Sequence, residues 1–369
     1  MYNKFIYLTL SIFCLIIILP LIGIFSKLNF DLKTILNFIE NKYTLRIIFF
    51  SFYQAFLSAF FSCIIAIPFT LALNRHKDFK IIRIIISLCG FSFVIPSILI
   101  VYGVIKLFGK NGIYNHYFNF YDLIGIETIY GLKAILIAHI LLNAPFATRL
   151  FFQNLNSIPK KYYEVSSSLN LTYFGNIYKL EIPIIIQSIF SVFSIIFTLC
   201  FLSFAIVMTL GGGPLNSTLE VAIYQYALFE LNFNKAILLS FIQIVICILF
   251  VFIGFFKLKG SNFFEVDISN YIHPHNDSKT IQIFDFILIT IFSIFLFSPI
   301  ICIIINFLNS NFNNIFYDIN FIKAFLNSLI ISLISGSLVS IFGFSISVLL
   351  VLNHKNILLQ QLIFLLSSS

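Results

Sequence analysis

The sequence predicts an all-α membrane protein, a polytopic bundle of transmembrane helices, and three observations carry that prediction. Hydrophobic residues fill 60% of the 369 positions, charged residues only 10%, and mean hydropathy is +1.04. A soluble domain ordinarily carries about 25% charged residues, so polar side chains are too few here to cover a water-borne globule. Apolar runs long enough to cross the roughly 30 Å hydrocarbon core as helices recur along the chain. Helices satisfy their backbone groups internally, as lipid requires. Finally, thirteen of the 22 Lys and Arg residues fall on one side when alternate loops are assigned to alternate faces. That bias sets an orientation in which the basic side is cytoplasmic.

The first run, Lys4 followed by 5–25, is longer than the roughly 7–15 residues of a signal-peptide core and lacks a small-residue cleavage pattern, so it reads as a retained helix. Further spans are predicted at 46–73, 84–108, 132–152, 184–210, 236–256, 282–308 and 326–352, eight in all. With the amino terminus inside, the loop holding Arg75, Lys77, Lys80 and Arg83 faces the cytoplasm, as do Arg149, Lys160, Lys161 and Lys179. The stretch 260–281 breaks the apolar pattern with Ser, Asn, Asp, His and Pro, and reads as a cytoplasmic linker between a first half, 1–259, and a second, 282–369. A weak internal repeat supports two halves. The helix opened by Phe325-Leu326-Asn327-Ser328-Leu329 ends Leu352-Asn353-His354-Lys355, much as the second span ends Leu73-Asn74-Arg75-His76-Lys77. After Asn356, 13 residues give about 20 Å of helix, short of a span, so the second half is expected to be incomplete within this sequence.

Several classes of function are disfavoured. Cys14, Cys63, Cys89, Cys200, Cys247 and Cys302 all lie in apolar stretches without Cys-x-x-Cys spacing and read as small buried hydrophobes. The six histidines are scattered, so no metal and no cofactor is expected. The net charge of +8 is membrane orientation, since no basic cluster is interleaved with aromatics, and no nucleic-acid partner is expected. His-Glu-x-x-His, Gly-x-Ser-x-Gly and phosphate-loop motifs are missing, which argues against an enzyme and against the chain's own ATP hydrolysis. An ion-coupled secondary transporter is the rival from another class. It needs carboxylates inside the membrane, whereas the acids here cluster in loops or at span ends.

The most informative segment is the polar interruption 153–183. Pro159 suits the first turn of a short helix, and Asn170 tolerates the left-handed conformation that ends one. Glu164 is followed by small residues at 165–168, the turn residue Asn170, and Leu180-Glu181-Ile182-Pro183. This order resembles the cytoplasmic "EAA" loop of bacterial ABC importer permeases, in which Glu-Ala-Ala, three residues, Gly, nine residues and Ile-x-Leu-Pro follow one another. Every interval is kept, while Val165-Ser166 replaces the alanine pair and Asn170 the glycine. The resemblance implies a bundle of the type I ABC importer permease kind and a coupling helix seated in a separate ATP-binding subunit, present in two copies. The residues it points to are Glu164, Ser166, Leu169, Asn170, Ile182 and Pro183. It also implies that coupled import takes two permease halves, and hence that this chain alone does not perform it.

A second set of motifs narrows the substrate. Thr209-Leu210-Gly211-Gly212-Gly213-Pro214, then Thr218 to Gln225, Asn234-Lys235-Ala236 and Ile242-Gln243, are similar to the thiamine importer permeases, as are Phe52 to Ala59 and Ala138-His139 with Asn143-Ala144-Pro145. The resemblance implies thiamine or its phosphates as substrate, a periplasmic substrate-binding protein as partner, and the inner membrane as location. Ferric-iron importers share the fused architecture and stand as the alternative. Gly211, Gly212, Gly213 and Pro214 form a break after the fifth span, either a simple turn or a face for a partner protein. Glu220, Tyr224 and Gln225 have helical spacing and either line the outer vestibule or shape a docking face. Asn143, inside an apolar span, serves either the pathway or a bond between helices.

Overall fold

The computed structural model describes residues 40–119, 128–256, 279–308 and 318–352, with scattered positions between 11 and 38. The described residues form helices and turns, without strands. They run in order α1 Lys42–Arg75, α2 Lys80–Phe91, α3 Ser97–Phe108, α4 Ile113–Phe118, α5 Leu132–Leu155, α6 Lys160–Ser168 and α7 Tyr173–Asn176. Then come α8 Ile182–Phe201, α9 Ala205–Leu210, α10 Leu219–Tyr224, α11 Phe233–Phe256, α12 Lys279–Leu308 and α13 Ile319–Leu352. Two compact units are formed, one of residues 32–305 and one of residues 1–31 with 306–369, which holds α13.

The core of the larger unit is α1 against α5, with α8 and α11 completing the bundle. Helix α1 starts at Asn41, whose side chain accepts a hydrogen bond from the Tyr43 N–H and satisfies one of the orphan donors of the first turn. Its buried face reads Ser51, Ala55, Ser58, Ala59, Ser62, Cys63, Ala66, and α5 buries Ala134, Ala138, Ala144 and Ala147. Small residues let two backbones approach closely in lipid, where no hydrophobic force draws helices together. The hydroxyls are absorbed locally: Ser51 donates to the Ile47 carbonyl, Thr70 to that of Ala66 and Thr148 to that of Ala144. Ser51 also accepts from the Leu219 N–H, so it caps the start of α10.

Six described helical segments are long and apolar enough to cross a membrane: Lys42–Arg75, Leu132–Leu155, Tyr173–Phe201, Phe233–Gly254, Lys279–Leu308 and Ile319–Ser345. They answer to six of the eight predicted spans. The predicted span 5–25 and linker 260–281 lie largely outside the described residues. The predicted span 84–108 is corrected: it is two helices, α2 and α3, of 12 residues each, parted by a turn at 92–96. Pro96 has no N–H to continue the helix and pushes the preceding residue out of helical geometry. Each piece is about 18 Å long, too short to span alone. The fifth span is likewise shifted, running from Tyr173 to Phe201 with a break at 202–204 before α9.

Helix α12, on the far side of the linker in sequence, packs Ile289 and Leu296 with Phe69, Ala72 and Leu73 of α1, Ile82 and Cys89 of α2, and Ala144 of α5. Pro299 of α12 rests on Gly103 of α3, in the space a β-carbon would fill. The segment 279–305 is thus part of the unit built by the first half.

Candidate functional site

The loop between α5 and α8 is built from local chemistry. Pro159 stands immediately before α6 in extended geometry, where its missing N–H costs nothing. At the other end Asn170 adopts φ 51, its N–H bonds the Ser167 carbonyl and the Leu171 N–H bonds that of Ser166. That pair of bonds with a left-handed residue is the Schellman stop. Thr172 then caps α7 by accepting from the Gly175 N–H at 3.2 Å. A π-helical turn, Ile177–Glu181, joins α7 to α8.

These stops divide the loop into two faces. Tyr163 and Ser166 are buried against the bundle, and Ser166 donates to the Tyr163 carbonyl. Glu164 is exposed, with Lys160 at 3.5 Å one turn before it. On the same loop Tyr162, Val165, Leu169, Phe174 and Tyr178 are exposed, the last two at 76%. Asn170 and Pro183 are exposed too, and Ile182 is partly buried against the core. Of the six residues expected to couple, four therefore lie on the outer surface, while Ser166 and Ile182 brace the loop from within.

Beneath this loop lies a buried polar cluster that sequence reasoning missed. Arg75, at the end of α1, makes a bidentate pair with Asp285 of α12 through Nε at 2.7 Å and Nη2 at 2.6 Å, and His76 Nε2 lies 3.1 Å from the same carboxylate. Arg75 Nη1 lies 4.0 Å from Glu181, and its guanidinium stacks on the Tyr173 ring at 4.9 Å. Glu181 in turn accepts from Asn74 Nδ2 and from the Tyr163 hydroxyl, both at 3.4 Å. Arg75 is 4% exposed and both carboxylates 0%. The expectation that Arg75 lies in a loop is thereby corrected: it ends helix α1 and is buried. Nearby Lys77, in the turn beyond, is held below its usual ammonium range by burial, with Asp78 opposing. Arg75, His76 and Asp285 all flank apolar runs, and charge at a span end is the one signal that singles them out.

At the opposite ends of these helices, Gly211 to Pro214 form a compact turn. Gly212 and Gly213 take φ +72 and +125, which glycine adopts without the β-carbon clash other residues meet. The Gly131 N–H donates to the Leu210 carbonyl, and Asn216 Nδ2 to that of Gly211. Glu220 accepts from Gln243 of α11, so α10 is tied to the bundle. Tyr224 packs on Phe204 at 4.8 Å, and Gln225 opens a second π-helical turn, Gln225–Phe229. Asn143 is not on an open face: it is 4% exposed, and its Nδ2 lies 3.2 Å from Cys200 Sγ, a contact between α5 and α8. His139, one turn earlier, meets Ser58 of α1 at 2.9 Å. Among the described residues no group of three or more His, Cys, Asp or Glu side chains is placed to hold a metal ion.

Comparison with known proteins agrees with this architecture. The chain is 38% identical over 273 residues to the thiamine transport system permease protein ThiP of Haemophilus influenzae, covering 73% of this chain and 49% of that protein. The corresponding protein of Escherichia coli is 30% identical over 302 residues, covering 81% and 55%. The chain thus spans about half the length of these relatives. A probable sulfate transport system permease protein cysT, from Helicosporidium sp., is 28% identical over 67% of this chain and 91% of its own length. Among solved structures, a bacterial alginate ABC transporter in complex with an alginate-bound periplasmic protein shares the fold at TM-score 0.54 and 16% identity, covering 68% of this chain and 91% of that one. Residues 77–258 of this chain match the family model of the binding-protein-dependent transport system inner membrane component.

Proposed function

We propose that this chain is the transmembrane permease subunit of an inner-membrane ABC importer for thiamine or its phosphates. An ATP-binding subunit docks on the 160–183 loop and supplies hydrolysis, and a periplasmic substrate-binding protein delivers the vitamin to the other face, around Gly211 to Gln225. The observation that carries the reading is the outer face of the loop. Tyr162, Val165, Leu169 and Phe174 expose large apolar side chains on the same loop that exposes the Glu164 carboxylate, outside the spans' apolar cores. Contiguous apolar surface rimmed by polar groups marks a protein interface, and the spacing from Glu164 to Pro183 is that of a coupling loop. The similarity to thiamine permeases supports the substrate.

Two measurements test it. Affinity-purified chain should retain a co-expressed ATP-binding subunit. Expressed with that subunit, a binding protein and a complementary second half, it should restore growth of a thiamine-auxotrophic, transport-deficient strain at low vitamin. Rescue of ferric-iron uptake in place of thiamine would move the assignment to the iron importers.

A further inference from the structure

We propose that Asp285 is a positioning residue for the 160–183 loop: by holding Arg75 it sets where Glu181, and with it Tyr163 of α6, comes to rest. What the loop is for rests on the permease reading; its control by Asp285 does not. The argument begins with the sharing of one guanidinium between two buried carboxylates. Asp285 takes the bidentate contact at 2.7 and 2.6 Å, whereas Glu181 stands 4.0 Å from the remaining nitrogen. In a site where Arg75, Asp285 and Glu181 are all nearly or fully buried, the effective dielectric is far below that of water and such a difference in distance matters. Arg75 therefore pairs closely with Asp285 and reaches Glu181 only at longer range.

Glu181 is also where movement would reach the loop. It closes a π-helical turn, an extra residue inserted ahead of α8 that turns this side chain inward. It meets Asn74 Nδ2 and the Tyr163 hydroxyl, each at 3.4 Å, and so links the end of α1 to α6. Tyr163 is the buried anchor of α6, and Glu164 next to it faces outward. A line of contacts thus runs from α12, through the end of α1 and the π turn, to the exposed carboxylate of the loop. If Asp285 loses its charge, the guanidinium gains most by closing on Glu181, and α6 follows.

The test is a distance measurement in a double-mutant cycle. Nitroxide labels at Ser87→Cys on α2 and Ser168→Cys at the end of α6, in an otherwise cysteine-free chain, report the loop's position by double electron–electron resonance. Asp285→Asn should move the mean distance by about 2 Å, the scale of helix shifts in switching proteins, and Asp285→Glu should restore it. In a Glu181→Gln background, which offers the released guanidinium no carboxylate, Asp285→Asn should cause no shift. An equal shift in both backgrounds, or none in either, overturns the proposal, because a carboxylate that only stabilises the fold would act without regard to residue 181. Should Asp285→Asn fail to fold, Arg75→Lys replaces it in the same cycle, keeping the charge but losing the bidentate fork. Retention of the ATP-binding subunit by the unsubstituted chain is measured alongside. Its absence would remove the permease reading and leave the distance result standing.

Discussion

At the scale of single residues, the loop separates groups that hold structure from groups left free to bind. Glu164 has one exposed partner, Lys160 at 3.5 Å, and an exposed pair of this kind contributes about 0–1 kcal/mol. Glu164→Lys should therefore leave membrane insertion and thermal unfolding in detergent almost unchanged while abolishing co-purification of the ATP-binding subunit; undiminished co-purification would refute the docking role. Asn170 is the opposite case. At φ 51 a β-branched side chain is strained, so Asn170→Val should cost about 1–2 kcal/mol and Asn170→Gly should not, a contrast read from the melting temperatures of the two variants. Asn170 was legible in the sequence because left-handed tolerance is a property of the residue itself. Arg75 was not. Whether an arginine at a span end meets water or a carboxylate 210 residues away is decided by packing, and no local pattern encodes it.

At the scale of elements, the long helices were legible because apolar length alone decides them, while their interruptions were not. The break at 92–96 and the one at 202–204 sit inside runs that stay apolar throughout, so hydropathy carries no trace of them. Pro96 marks the first, yet Pro68 and Pro145 lie inside continuous helices. A proline ends a helix only where neighbours do not re-satisfy the carbonyl it frees, and that is tertiary information. Contacts between helices are similarly hidden until side chains are placed. Gly254 of α11 lies so close to Ser194 of α8 that a β-carbon would stand 2.7 Å from that of the serine, and the rings of Phe197 and Phe250 stack beside it at 3.7 Å. Gly254→Ala should consequently destabilise the bundle by about 1–3 kcal/mol through overpacking. Ser194→Gly on top of it should recover part of the loss, and strictly additive melting shifts in the double variant would show that the two positions do not meet.

At the scale of the whole molecule, the proposed function requires the two candidate surfaces to open to different compartments. Helix continuity from Tyr173, within the loop, to Phe201, ahead of the Gly211 turn, is 29 residues or on the order of 40 Å, enough to cross the hydrocarbon core. The distribution of Lys and Arg then assigns the sides: Lys160, Lys161 and Lys179 lie in the loop, whereas the turn 211–218 carries no charged residue. ATP is found only in the cytoplasm and a substrate-binding protein only outside it, so the polarity of this one helix decides whether either proposed docking surface faces the partner proposed for it. Single cysteines test it in a cysteine-free background, at Ser168 and at Leu215, which is 62% exposed. An impermeant maleimide added to intact cells should label Leu215→Cys and should reach Ser168→Cys only after the membrane is opened. The reverse pattern would place the loop outside, away from any source of ATP, and the coupling role of Glu164 would fall with it.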